Sequence, residues 1–137
     1  MFYQPISHTA DIGFKAWGNT LEELFSNAAR AMTDCMVQVD DGVPTQTVFV
    51  QLKADSLEEL LVKWLSEVLY HFETDGLLGL GFTVLQCQMK DFKATLHGVS
   101  WDSEKSPLKT QIKAVTFHEM KVEKKNNRYE VQVILDV

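Results

Sequence analysis

Two acidic groups stand side by side at the end of the sequence. Asp136 carries a side-chain carboxylate, and Val137, the last residue, adds the carboxylate of the main chain. Adjacent carboxylates repel each other unless a cation or a hydrogen-bond donor lies between them. Carboxylate oxygens are the ligands that hard divalent cations such as calcium prefer. We therefore expect a metal site here, and it needs a third ligand from elsewhere in the chain.

A strand is the element that would hold these two groups in place. Residues 129–137 alternate apolar and polar side chains, which is typical of a strand with one buried face. Most domains end in a polar tail that frays, whereas this alternation continues to the last residue. The pattern therefore predicts that the end of the chain is packed into a sheet.

A polar turn near the start of the chain offers a candidate third ligand. Residues 7–11 read Ser-His-Thr-Ala-Asp and separate two predicted strands. In one interpretation Asp11 only accepts hydrogen bonds from backbone donors of the turn, a common role for aspartate. In the other, Asp11 joins Asp136 and Val137 in the metal site, which requires the strands that carry them to be neighbours.

Two further polar residues lie on a predicted strand that covers residues 112–123. Lys113 and His118 would face opposite sides of an uninterrupted strand, because strand side chains alternate. A lone lysine on a strand usually keeps a sheet edge soluble. A lone histidine in an apolar strand is more often a structural residue than a ligand. Neither residue alone therefore identifies a site.

Two amphipathic helices are predicted. The first opens at Thr20 and runs to about Met36, and the second starts at Ser56 and ends at Gly76. Each begins with Thr or Ser followed three residues later by Glu, which is a capping box. Glycine is the residue that best adopts the left-handed conformation at a helix end. The second helix has the wider apolar stripe, so Trp64 in its middle is expected to lie in the core.

The remaining segments are predicted to form antiparallel strands. They cover residues 1–6, 12–17, 47–52, 82–89, 93–99, 112–123 and 128–135, and the last two form a hairpin. Since the connecting loops are short, residues 1–137 are expected to form a single domain. The predicted fold class is α+β, with the two amphipathic helices packed on antiparallel sheet. The predicted order is strand-helix-strand-helix followed by antiparallel hairpins.

Composition and charge narrow the classes of function. The formal net charge is -6 at pH 7. A nucleic-acid binder or nucleic-acid-modifying enzyme usually presents a basic surface, so both classes are disfavoured. An acidic surface instead favours a metal ion or a basic protein surface as the partner.

Targeting signals and cysteine spacing predict a cytoplasmic protein. No apolar run is long enough to cross a bilayer, and the start of the chain lacks the pattern of a signal peptide. Cys35 and Cys87 lack the spacing of metal ligands and lie in apolar stretches. They are expected to be buried free thiols in a reducing compartment.

Four motifs together resemble the archease family. They are His8-Thr-Ala-Asp-Ile-Gly13, Leu60-Leu-Val-Lys-Trp-Leu65, Lys113-Ala-Val-Thr-Phe-His118 and Leu135-Asp-Val137. Each motif alone is weak, but the four occur in order over essentially the whole chain, which makes the combination specific. Phe117 stands where the family often has Tyr, a change that removes a hydroxyl and keeps the ring.

The resemblance implies a function without catalysis. Archeases are not known as enzymes, so no catalytic residue is expected. The family acts as a protein cofactor of the RtcB-type RNA ligase, which joins RNA ends in tRNA splicing and RNA repair. It promotes guanylylation of the ligase, so that the ligase turns over many times. The resemblance thus implies this ligase as partner, with no direct binding to nucleic acid and no membrane association.

The resemblance also implies a set of site residues. The calcium site of the family, transferred to this sequence, consists of Asp11, Asp136 and Val137, so the expected cofactor is a divalent metal ion, calcium above others. The remaining polar positions of the family motifs are expected to contact the partner or to serve function in another way. These positions are His8, Asp55, Lys113 and His118.

A different class of function stays open beside this one. The chain could be a small chaperone-like module that binds a protein partner without metal-dependent activity. A conspicuous apolar groove on the surface would favour the chaperone-like module. A compact acidic tip would favour the ligase activator.

Overall fold

The computed structural model describes residues 2–7 and 11–137. This part of the chain forms two α-helices and eight β-strands. In chain order they are β1 (Tyr3–Ser7), β2 (Asp11–Gly18), α1 (Leu21–Met36), β3 (Gln46–Leu52), α2 (Leu57–Asp75), β4 (Leu77–Gln88), β5 (Asp91–Ser100), β6 (Ala114–Val115), β7 (Glu123–Lys125) and β8 (Arg128–Asp136).

Both predicted helices are confirmed, and both begin in the predicted way. The Thr20 side chain accepts a hydrogen bond from the backbone N–H of Glu23 at the start of α1. Ser56 does the same with Glu59 at the start of α2. Helix α2 ends at Gly76, whose φ of 63° is left-handed, so a residue with a Cβ would be strained there.

The strands form two antiparallel sheets. The larger sheet has the order β1-β2-β8-β6, and β7 also pairs with β8. The smaller sheet has the order β3-β5-β4. The α+β class and the order of elements agree with the prediction, whereas the division into two sheets was not predicted. Strand β8 lies between β2 and β6, so the end of the chain is placed inside the larger sheet.

Helix α1 connects the two sheets. Its Asn27 side chain donates a 2.8 Å hydrogen bond to the carbonyl of Trp17 in β2. Its Ser26 hydroxyl donates a 2.6 Å hydrogen bond to the carbonyl of Phe82 in β4. Trp64 of α2 is fully buried, as predicted, and lies in the hydrophobic cluster that the helices share with both sheets.

Strand β4 begins earlier than predicted. It starts at Leu77, directly after the helix end, instead of at Phe82. The pairing with β5 shifts register between Gly79 and Gly81, which is a β-bulge. Gly79 and Gly81 precede the predicted start of this strand but lie inside it, because a bulge also favours glycine.

The predicted strand 112–123 is wrong as one continuous element. Only Ala114–Val115 and Glu123–Lys125 are strands, and a loop of residues 116–122 separates them. Three consecutive exposed residues, 117–119, break the alternation that a strand requires. Glu119 also has a φ of 53°, which a strand residue does not adopt. The hairpin itself is confirmed for β7 and β8, where Lys125 pairs with Arg128.

The two cysteines are free thiols held in their protonated form. Cys87 is buried as predicted, whereas Cys35 is only partly buried. Burial raises the pKa of Cys35 to about 11 and that of Cys87 to about 12. Neither helix of the described chain is long and apolar enough to cross a membrane.

Candidate functional site

The larger sheet brings two carboxylates together at one of its ends. In the pairing of β2 with β8, Asp11 lies directly opposite Asp136. Residues directly opposite each other in antiparallel strands point to the same face, with Cβ atoms about 4.5–5.5 Å apart. The two strands are therefore neighbours, which is the condition that a shared site of Asp11 and Asp136 requires. We call these two residues the acidic pair.

A third strand covers the other side of Asp136. Ala114 of β6 pairs with Asp136, and the backbone N–H of Lys113 donates a 2.8 Å hydrogen bond to the Asp136 carbonyl. Val137 follows directly and packs, partly buried, against the hydrophobic core. The backbone around Asp136 is thus held on both sides, while its side chain is exposed. The acidic pair therefore presents carboxylates on a rigid base.

Lys113 lies beside the acidic pair but does not neutralise it. Its backbone is bonded to Asp136, and its side chain is exposed. Among the described residues, no Lys, Arg or His side chain forms an ion pair with Asp11 or Asp136. Two carboxylates on one face without a basic partner are the arrangement that a cation would stabilise.

A hydrogen-bonded loop adjoins this end of the sheet. The Thr116 hydroxyl donates a 2.9 Å hydrogen bond to the carbonyl of Ile134. The same hydroxyl accepts a 3.2 Å hydrogen bond from the backbone N–H of His118. Farther along the loop, the N–H of Val122 donates a 2.7 Å hydrogen bond to a carboxylate oxygen of Glu58 in α2. The loop is therefore fixed to β8 on one side and to α2 on the other.

Thr116 and Glu58 were not identified from the sequence. Thr116 lies within a motif that reads as an ordinary strand, and its role depends on the carbonyl of a residue 18 positions away. Glu58 is one of two acidic residues in the first turn of α2, where acidic residues are common in any helix. The one available signal was the polar Thr116 inside an apolar segment.

Asp55 makes its contacts elsewhere. It precedes α2, and its carboxylate lies 2.6 Å from the ammonium of Lys90 in the turn between β4 and β5. The hydrogen bond and the positive charge of Lys90 lower the pKa of Asp55. The contacts recorded within the described residues connect Asp55 to Lys90 and to Glu59, not to the acidic pair.

The structure describes one of the two histidines of the predicted set. His118 lies in the 116–122 loop with an exposed side chain. The expectation that it faces away from Lys113 on a strand does not apply, because β6 ends at Val115. His8 lies outside the described residues. Of the predicted set, the structure thus brings Asp11, Asp136, Val137 and Lys113 to one end of the sheet.

The donor set at the acidic pair suits a hard cation but is incomplete by side chains alone. Within residues 2–7 and 11–137, no group of three His, Cys, Asp or Glu side chains is arranged to hold a metal ion. The acidic pair supplies two carboxylates, and Val137 supplies main-chain oxygens next to them. Calcium takes about 6–8 oxygen ligands, so carbonyls and water would complete its coordination.

Comparison with known proteins gives one consistent result. The sequence matches the model of the Archease protein family over residues 3–137. It is 33% identical over 140 residues to protein archease of Methanopyrus kandleri, and the match covers 100% of both chains. It is 38% identical over 139 residues to protein archease of Methanosarcina acetivorans, which covers 98% of this chain and 95% of the relative.

Solved structures agree with the sequence comparison. The solution structure of Methanobacterium thermoautotrophicum protein 1598 has a TM-score of 0.82 at 30% identity and covers 98% of both chains. The crystal structure of an archease from Thermotoga maritima, described as a possible chaperone, has a TM-score of 0.69 at 20% identity. That match covers 98% of this chain and 96% of the other, and at this identity it shows a shared fold. With a family match over nearly its whole length, the chain belongs to the archease family.

Proposed function

We propose that this protein activates an RtcB-type RNA ligase of tRNA splicing and RNA repair, and that it does so without catalysing a reaction itself. The observation that supports the proposal is the pairing of Asp11 with Asp136 on the exposed end of the larger sheet. Both residues lie in motifs by which the sequence resembles the archease family, and the match to the family covers residues 3–137. Promotion of ligase guanylylation and of multiple turnover is the expected activity.

The acidic pair and the carboxylate of Val137 are the proposed ligands of a divalent cation, with calcium as the expected ion. When bound, the ion neutralises the repulsion between the two carboxylates and supplies positive charge at the tip. The backbone hydrogen bond from Lys113 and the pairing of Ala114 hold Asp136 in position for this role. A rigid base matters because ligand oxygens must lie about 2.3–2.6 Å from the ion.

The proposed mechanism follows from charge and rigidity. The active site of the ligase binds nucleotide phosphates and divalent metal, so an acidic pair that carries a cation brings complementary charge to the phosphates. In the proposal, the acidic pair enters the mouth of that site and orders the nucleotide pocket. Lys113, exposed beside the pair, offsets phosphate charge at the contact. The loop 116–122 lies next to this surface and is the candidate for further partner contacts.

A chaperone-like function is the second candidate, because the structure also contains an apolar cleft. We define the cleft by its apolar lining residues, which are Met36, Leu69, Phe72, Trp101, Leu108 and Ile112. The Thermotoga maritima archease is described as a possible chaperone. A chaperone-like module would suppress aggregation of an unfolded client protein without calcium. A ligase activator needs no such effect on an unfolded protein.

A turnover assay with the cognate ligase tests the proposal. We expect ligated RNA to exceed the amount of ligase severalfold when this protein is present, and to stay near one product per ligase without it. A short extension at the C-terminus converts the Val137 carboxylate into a neutral amide, so it should weaken both activation and calcium affinity. The loss is partial, since the amide carbonyl still offers an oxygen.

An extension of the same length at the N-terminus is the matched control and should leave both measurements unchanged. If the ligase turns over equally well with and without the protein, the proposed function is wrong. Equal calcium affinity of the two extended forms would instead show that the charge of the terminal carboxylate is not used.

A further inference from the structure

Besides the acidic pair, the surface carries the apolar cleft. It has a volume of about 490 Å³ and lies between the ends of both helices and the segment 101–112. Its floor is buried, since Met36 is 2% exposed and Ile112 is 1% exposed. Leu108 at its rim is 47% exposed although it is apolar. Pockets of about 300–1,000 Å³ with mostly apolar linings are typical of binding sites.

The walls of the cleft are held in place by backbone hydrogen bonds. The N–H of Trp101 donates a 2.7 Å hydrogen bond to the carbonyl of Gly76, and its indole N–H donates to the carbonyl of Ser106. The N–H of Lys109 donates a 2.7 Å hydrogen bond to the carbonyl of Met36. The rings of Phe72 and Trp101 pack with their centroids 5.0 Å apart. The cleft is therefore preformed.

Within the part of the chain that the structure describes, Glu73 is the charged residue of the cleft lining, and the ammonium of nearby Lys109 donates its hydrogen bond to the carbonyl of Asp34. Helix α2 ends there with no basic residue in its last turn, and a helix C-terminus carries a partial negative charge. Asp75 is paired with His71, which also lies 3.5 Å from Glu67. Glu73 lines the cleft and takes part in no ion pair among the described residues. A cation at the rim would therefore meet an unpaired carboxylate and the carbonyl end of a helix.

We propose that the cleft is a docking site for a peptide segment of a protein partner, which inserts one large apolar side chain next to a Lys or Arg residue. The apolar floor would bury the inserted side chain, and the carboxylate of Glu73 would form an ion pair with the basic neighbour. A segment with acidic neighbours would be repelled by Glu73 and by the end of α2, so charge complementarity selects the basic class. The inference requires neither the metal nor the ligase of the proposed function.

Three short peptides test this inference against the full chain. They are acetyl-Lys-Phe-Lys-amide, acetyl-Glu-Phe-Glu-amide and acetyl-Lys-Ala-Lys-amide. We expect the basic phenylalanine peptide to shift the indole N–H resonance of Trp101 in a saturable way, in the millimolar range. The alanine peptide should bind about tenfold more weakly, because it lacks the apolar side chain. The acidic peptide should bind at least severalfold more weakly, because its charge is reversed.

Variants of the protein assign the binding to the cleft. Glu73→Gln should weaken binding of the basic phenylalanine peptide by about two- to fivefold, as expected for a solvent-exposed ion pair. Asp41→Asn removes an exposed carboxylate from a loop outside the cleft lining and should leave the affinity unchanged. Leu108→Ser should also weaken binding, whereas Leu85→Ser is its control because Leu85 is 59% exposed and lies in β4, outside the cleft lining.

The inference is overturned if Trp101 shows no saturable shift, or if the three peptides bind alike. It is also overturned if Glu73→Gln and Leu108→Ser bind as their controls do. The ligase turnover assay decides the proposed function separately, so failure of one proposal leaves the other standing.

Discussion

The core around Trp64 and the acidic pair at the end of the larger sheet differ in whether their polar groups have partners. The indole N–H of Trp64 donates a 2.9 Å hydrogen bond to the carbonyl of Phe25, and its ring packs against Phe82 and Phe92. Every buried side-chain nitrogen or oxygen in the described residues has a hydrogen-bond partner. Asp11 and Asp136 instead face each other without a basic partner in the described chain. The core serves stability, whereas two like charges directly opposite each other are expected to lower it.

Of the changes considered, replacement of Trp64 should lower the free energy of unfolding most. We expect Trp64→Ala to lower the free energy of unfolding by about 3–5 kcal/mol, because it leaves a cavity and removes the hydrogen bond from the indole to the carbonyl of Phe25. Urea unfolding followed by circular dichroism measures the loss. Trp17→Ala is the control, since Trp17 is only partly buried, and it should lower stability by less. A loss below about 1 kcal/mol at Trp64 would contradict its place in the core.

Removal of the Thr116 hydroxyl should have an intermediate effect. Thr116→Val keeps the shape of the side chain and breaks its hydrogen bonds with Ile134 and His118. We expect a loss of about 1 kcal/mol in the free energy of unfolding. Hydrogen exchange at the His118 amide should become faster, because that amide loses its acceptor.

The matched variant is Thr47→Val. Among the described residues, the Thr47 hydroxyl has one hydrogen-bond partner, the side chain of His97, and Thr47 itself is exposed, so this change should stay within about 0.5 kcal/mol of the wild type. If both variants behave alike, the 116–122 loop is not held by Thr116, and its fixed position next to the acidic pair must have another cause.

Local contacts explain what could be predicted from the sequence. The starts of both helices depend on residues only three positions apart, at Thr20 and Ser56, so capping boxes identified them. The end of α2 at Gly76 follows from the conformational freedom of glycine. The apolar stripe of α2 was enough to place Trp64 in the core.

Distant contacts explain what could not be predicted. The bulge at Gly79 and Gly81 depends on the pairing with β5, so the sequence alone placed the start of this strand after these glycines. The loop 116–122 depends on Glu58 and Ile134, which are far away in the sequence. The lining of the cleft comes from both helices and the segment 101–112, and no single segment shows its pattern.

The acidic pair was predictable from the sequence only in part. The family resemblance and the charge of Asp136 indicated that Asp11 belongs to the same site. The sequence could not show that β8 lies between β2 and β6, because strand order is a property of the whole sheet. Register decides whether the two carboxylates share a face, and a slip by one residue would turn them apart.

Asp136→Ala tests most directly whether the acidic pair serves the activation of the ligase at the expense of stability. The measurement is the metal-free melting temperature together with multiple-turnover ligation by the cognate ligase. We expect the melting temperature to stay the same or rise, because like charges directly opposite each other destabilise a sheet by roughly 0.2–1 kcal/mol. We expect ligase activation to be lost. A variant that stays folded and still supports full turnover would show that the acidic pair is not the working surface.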